Sequence, residues 1–87
     1  MTKAKKFVED MTHCRGMDWI RLGMMVEVDG DIGTIKGMNS SGNLDVVFSN
    51  QLKYGTGKSN CHPFWKTRYF DKMGNVIKDY REDKAND

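Results

Sequence analysis

The sequence predicts a mainly β domain: a small barrel of about five short antiparallel strands, preceded by one α-helix. Three observations predict it. The chain has 87 residues, the size of one domain. Its first residues space apolar side chains as a helix does. From Gly23 onward the period changes to two, and short apolar runs are separated by turns rich in glycine and asparagine.

The helix comes first. Thr2 can cap it, Phe7, Val8 and Met11 share one face, and Lys3, Lys5, Lys6, Glu9 and Asp10 surround the rest. Gly16 tolerates the left-handed conformation that ends helices, so the expected span is 2–14. The apolar stripe is narrow, and such a helix persists only when docked. Trp19 and Ile20 are expected to pack it onto the sheet.

In the first strand Met24, Val26 and Val28 face one side, and Met25, Glu27 and Asp29 the other. Asp29-Gly30 is a hairpin signal, and 32–36 returns as strand two. Asn39 to Asn43 turns the chain again. Leu44, Val46 and Phe48 then form the third inward row. A polar loop over 50–60 follows, holding Gly55 and Gly57. Strand four is expected over 65–70, a turn at 71–74, and strand five over 75–79. Closing the sheet would hide its edges. The predicted organisation is a helical unit at 1–16, the barrel at 17–80 and a frayed tail at 81–87.

Composition narrows the class. At 38% hydrophobic and 30% charged the chain is polar, yet the clean alternation and nine aromatic residues exclude disorder. Net charge is +2, but from Asn50 to Phe70 there is no acid, while Lys53, Lys58, Lys66 and Arg68 fall there. The segment 79–87 leans acidic. No apolar run approaches the ~20 residues of a membrane span. The basic start lacks a signal peptide's apolar stretch. With two cysteines the expected setting is the cytoplasm, both thiols reduced.

The stretch Gly23-Met24-Met25-Val26-Glu27-Val28-Asp29-Gly30-Asp31-Ile32-Gly33-Thr34-Ile35 resembles the opening hairpin of SH3-like small barrels, the KOW type in particular. Valines alternate into a turn, and a glycine precedes the returning strand. The first turn is shorter than in that pattern and lacks its usual basic residues, so no functional residues carry over. In size and texture the chain also resembles small accessory proteins of tailed phages. That likeness implies a host cytoplasm, and a partner that is a host factor bound and inhibited.

Candidate chemistry is sparse. His13-Cys14 and Cys61-His62 hold zinc-type ligands, but adjacent ligands strain to reach one tetrahedral ion, so no metal is expected. Gly55-Thr56-Gly57-Lys58-Ser59 mimics the end of a phosphate-binding loop, yet Leu52 stands where that pattern needs glycine, and Pro63 opposes the following helix. No nucleophile is placed beside a base, and neither an enzyme nor a cofactor is expected. The most distinctive stretch is Pro63-Phe64-Trp65-Lys66-Thr67-Arg68-Tyr69-Phe70. In a strand Trp65, Thr67 and Tyr69 share one face, and Lys66, Arg68 and Phe70 the other. Trp65 and Tyr69 then either anchor the core, leaving a basic strip outside, or form a stacking platform for single-stranded nucleic acid.

The expected function is a binding module. Nucleic acid would be met by Lys53, Tyr54, Lys58, Trp65, Lys66, Arg68 and Tyr69. A protein partner, or a homo-oligomer, would be met by exposed Met25, Tyr54, Phe64 or Tyr80. A nucleotide-sequestering protein would use the loop from Gly55 to Asn60.

Overall fold

The computed structural model describes residues 2–81. Helix α1 spans Lys3–Arg15. The Thr2 hydroxyl caps it, accepting from the Lys5 amide at 3.1 Å. Gly16 closes it at φ +70°, its N–H directed at the Met11 and Thr12 carbonyls. The cap and the stop are the residues predicted, and the helical span lies one residue later than expected. Phe7 and Met11, one turn apart, are the side chains it buries.

The strands are β1 (Met25–Val28), β2 (Asp31–Met38), β3 (Leu44–Phe48), β4 (Ser59–Cys61), β5 (Thr67–Phe70) and β6 (Val76–Asp79). All pair antiparallel, in the order β4-β3-β2-β1-β5-β6. The β1–β2 turn is the predicted Asp29-Gly30, with both residues at positive φ (+51° and +90°), as a two-residue hairpin requires. Opposite Val46 and Asp45, β2 carries Ile35 and Gly37, so Lys36 is an extra residue, a β-bulge.

The core collects Phe7, Met11, Met17, Ile20, Val26, Val28, Ile35, Leu44, Val46, Phe48, Cys61 and Tyr69. Period-two reading placed the valines of β1 and the inward row of β3 correctly. Fully burying one such aliphatic side chain contributes about 1.5–3 kcal/mol, and Ile20, Val26, Ile35, Leu44 and Val46 are all fully buried. Gly33 lets β2 and β3 close together. A Cβ there would stand 2.5 Å from Val46 Cγ1 and 3.0 Å from the Val47 carbonyl.

Four expectations need correction. The sheet is not closed into a barrel, and it has six strands. Strands β4 and β5 do not pair. The connection from Cys61 to Thr67 bridges them through side-chain bonds, the Thr67 hydroxyl and the Tyr69 phenol each donating to the Pro63 carbonyl at 2.6 Å. The loop over 50–60 is not featureless. It holds the short helix α2 (Gln51–Tyr54), capped by Asn50, and the edge strand β4. Strand four of the prediction begins at Thr67, because Lys66 has φ +50° and breaks the extended run. Beyond Arg81, the tail expected to fray lies outside the described residues.

Candidate functional site

The seven residues predicted to bind do not form one strip. Tyr69 is fully buried. Its ring meets Trp19 edge-on at 4.9 Å, and burial holds its phenol well above the ordinary value. Trp65 is 51% exposed. The two therefore share no face, and Trp65 does not anchor the core. The left-handed Lys66 between Trp65 and Thr67 turns the chain, so the alternation that sets Thr67 and Tyr69 inside never reaches Trp65. Trp19 and Ile20 take the packing role expected of them: Ile20 is fully buried and Trp19 packs on the core.

The cations of the acid-free segment are met by acids from far away in the chain. Glu27, Asp29 and Asp31 lie at alternate positions around the β1–β2 hairpin. The Arg68 guanidinium holds the Glu27 carboxylate, Nε at 2.9 Å. Lys66 Nζ stands 3.7 Å from Asp29, and Lys53 Nζ 2.9 Å from Asp31. Of the four cations between Asn50 and Phe70, Lys58 alone forms no ion pair among the described residues. A segment that is basic in sequence is close to neutral in space.

Tyr54 ties α2 to this hairpin. Its ring stacks on Phe48 with centroids 4.0 Å apart, and its hydroxyl donates to the Asp31 carboxylate at 2.5 Å. That bond, then the bond from Lys53, holds the Asp31 carboxyl below its usual range. Asp31 in turn pushes Lys53 and Tyr54 up: each would lose its bond to that carboxylate on deprotonation.

The cysteine–histidine pairs separate by role. Cys61 is buried, which raises its thiol pKa and keeps it unreactive. His62 Nδ1 accepts the Phe64 amide at 3.1 Å, serving a turn. Cys14 is exposed at the end of α1. The stretch that mimics a phosphate loop runs into strand β4 and not into a helix.

Sequence reasoning missed most of an apolar groove of about 430 Å³. Leu22, Met24, Met25, Phe70 and Ile77 line it, together with Arg21, Lys72 and Asp71. Met25 was expected to be exposed, and it is, as is Ile77. A signal was present: Met25 is apolar at an outward position of an alternating strand. Strand β6 runs beside the groove, paired on one edge only among the described residues, and all four of its residues are exposed. Phe64 lies apart from it, edge-on to Tyr80 at 4.9 Å.

Comparisons with protein-family models, with curated proteins and with solved structures return no match for this chain.

Proposed function

We propose that the chain is a binding module, not an enzyme, and that it holds an extended segment of another protein in the groove beside β6. The carrying observation is the groove itself. It exposes Met25 and Ile77 above a floor of Leu22, Met24 and Phe70, and its volume is in the range of about 300–1,000 Å³ typical of ligand sites. Contiguous exposed apolar surface of this kind marks interaction sites. Methionine adapts to different apolar side chains. The free edge of β6 offers unpaired backbone groups that a strand-like segment can use. Two cations, Arg21 and Lys72, against one carboxylate, Asp71, favour an apolar segment flanked by an acid.

Peptide display against the immobilised protein tests this. The expected outcome is a set of extended peptides with apolar residues beside Asp or Glu, which shift the backbone amide signals of 76–79 and lose binding to Ile77→Lys. Peptides that map elsewhere, or no enrichment at all, would overturn it.

A second reading, nucleic acid, is supported by Trp65, which stands exposed with the Lys66 ammonium 5.0 Å from its ring centre. Labelled single-stranded oligonucleotides at two salt concentrations test it. Binding that weakens with salt and is lost in Trp65→Ala supports that reading. Binding that ignores the substitution removes it. The SH3-like resemblance of the fold is retained as a proposal on the Gly23–Ile35 hairpin, found as β1 and β2. No helix among the described residues is long and apolar enough to cross a membrane, and a cytoplasmic location is part of the proposal.

A further inference from the structure

Four lysines that are scattered along the sequence line one cleft. Lys3 and Lys6 come from α1, Lys36 from the bulge in β2, and Lys58 from the loop before β4. They line a concavity of about 240 Å³ whose apolar wall includes Phe7, Leu22 and Met38. Two acids also line it. Asp10 is already held by Lys6 at 3.0 Å, and Asp45 accepts from the Asn39 amide at 3.5 Å. Lys3, Lys36 and Lys58 form no ion pair among the described residues. The cleft therefore carries an excess of two positive charges, four lysines against two carboxylates.

Two features separate this cluster from ordinary solvated lysines. The first is contrast within one chain: the remaining cations between Asn50 and Phe70 each have a carboxylate, whereas Lys3, Lys36 and Lys58 line one cleft and form no ion pair among the described residues. The second is the bulge. An extra residue in a strand re-aims side chains, and such irregularities concentrate next to functional sites. Here the extra residue is itself one of the lysines.

We propose that this cleft binds a small phosphate-bearing ligand of about mononucleotide size, the phosphates on Lys36, Lys58 and the α1 lysines, the uncharged part against Phe7 and Leu22. At about 240 Å³ the cleft is smaller than the roughly 300 Å³ at which typical ligand sites begin, so it suits only a compact ligand that stays partly in solvent. The inference is independent of the groove beside β6 and stands or falls without it.

The test is a titration of the isotope-labelled full chain with ADP, with inorganic pyrophosphate and with a short single-stranded oligonucleotide, at low salt. ADP or pyrophosphate should move the amide signals of Lys36, Gly37 and Lys58. Lys36→Glu and Lys58→Glu, both exposed and outside the core, should each weaken binding by about tenfold or more. Lys72→Glu, on the groove side, should leave it unchanged. Tighter ADP than pyrophosphate assigns the apolar wall to a nucleoside, and equal affinities assign the site to the phosphates alone. Three results would overturn the proposal: no movement in the cleft at millimolar ligand, equal weakening by Lys72→Glu, or binding of the oligonucleotide with neither small ligand bound.

Discussion

Glu27 and Arg68 stand directly opposite each other on β1 and β5, carboxylate against guanidinium, 41 residues apart in the chain. Asp79 of β6 is the next residue across, on the far side of Arg68. Arg68 also lies over Phe70, its guanidinium carbon 5.2 Å from the ring centre. Arg68, one of the seven residues expected to meet nucleic acid, is thus built into the sheet, and three strands meet on it.

Removing both partners should cost less than the two single removals summed. Glu27 is mostly buried, so Arg68→Ala leaves a carboxylate with little water to replace the guanidinium. Each single substitution, Glu27→Gln or Arg68→Ala, should lower stability by about 1–3 kcal/mol. The double substitution should cost less than their sum, with a coupling of about 1 kcal/mol or more. Urea unfolding of the four proteins of the cycle measures it. Additive costs would mean that the pair does not act as one.

The Pro63 carbonyl accepts from both Thr67 and Tyr69, so it has a reserve bond. Tyr69→Phe leaves Thr67 in place and should cost only about 1 kcal/mol. Thr67→Val should cost a similar amount. Together they leave the carbonyl without a side-chain donor, and the double variant should lose more than the two singles summed. This is the reverse of the sign expected for Glu27 and Arg68, and the same unfolding experiment separates them.

Stability should fall at both ends of the pH range. Burial raises the Tyr69 phenol above its ordinary value of 10, and Tyr54 and Tyr80 are also raised. An unfolded tyrosine ionises near pH 10 while the folded one resists, so this stability is complete below pH 10 and is lost as pH rises above it. Asp31 and Asp71 are lowered from 3.8, and Arg81 holds Asp79 down at about 2. Their contribution is present above about pH 4 and is lost as pH falls through the folded values. Melting temperature against pH should show a plateau between. Tyr69→Phe should flatten the alkaline fall and leave the acid one unchanged.

The two tryptophans should behave oppositely, and they show what the sequence made legible. Trp19→Ala should cost about 3 kcal/mol, since that ring packs on Tyr69. Trp65→Ala should change stability by less than about 0.5 kcal/mol, since half the ring already faces water. Denaturant midpoints decide it, and Trp65 should also be the fluorophore that acrylamide quenches. Period-two alternation located Val26, Val28, Leu44, Val46 and Phe48 because a strand's two faces differ in environment. It failed at Trp65 because one left-handed residue, Lys66, resets the phase, and no glycine announces it. Charge along the chain misled for a related reason. The partners of Lys53, Lys66 and Arg68 sit at least 22 residues away, on a hairpin whose register only the fold brings alongside. The four-lysine cleft was equally invisible, its members being scattered from Lys3 to Lys58.

Tyr54 should control whether α2 stays on the sheet. The helix has four residues, too few to persist by itself, and none of them is buried. Two attachments hold it: the stack of Tyr54 on Phe48, and the bonds of Tyr54 and Lys53 to Asp31. Tyr54→Phe keeps the stack and removes one bond, so trypsin cleavage after Lys53 and Lys58 should quicken only slightly. Asp31→Asn weakens both bonds to the hairpin and should quicken it more. Tyr54→Ala removes the stack, uncovers Phe48 and should open the loop to cleavage while β1, β2 and β5 remain folded. Equal cleavage rates in all three variants would show that α2 is held by the strand ends β3 and β4 alone. In that case the Lys58 edge of the cleft would not depend on the hairpin, and phosphate binding there should survive Tyr54→Ala unchanged.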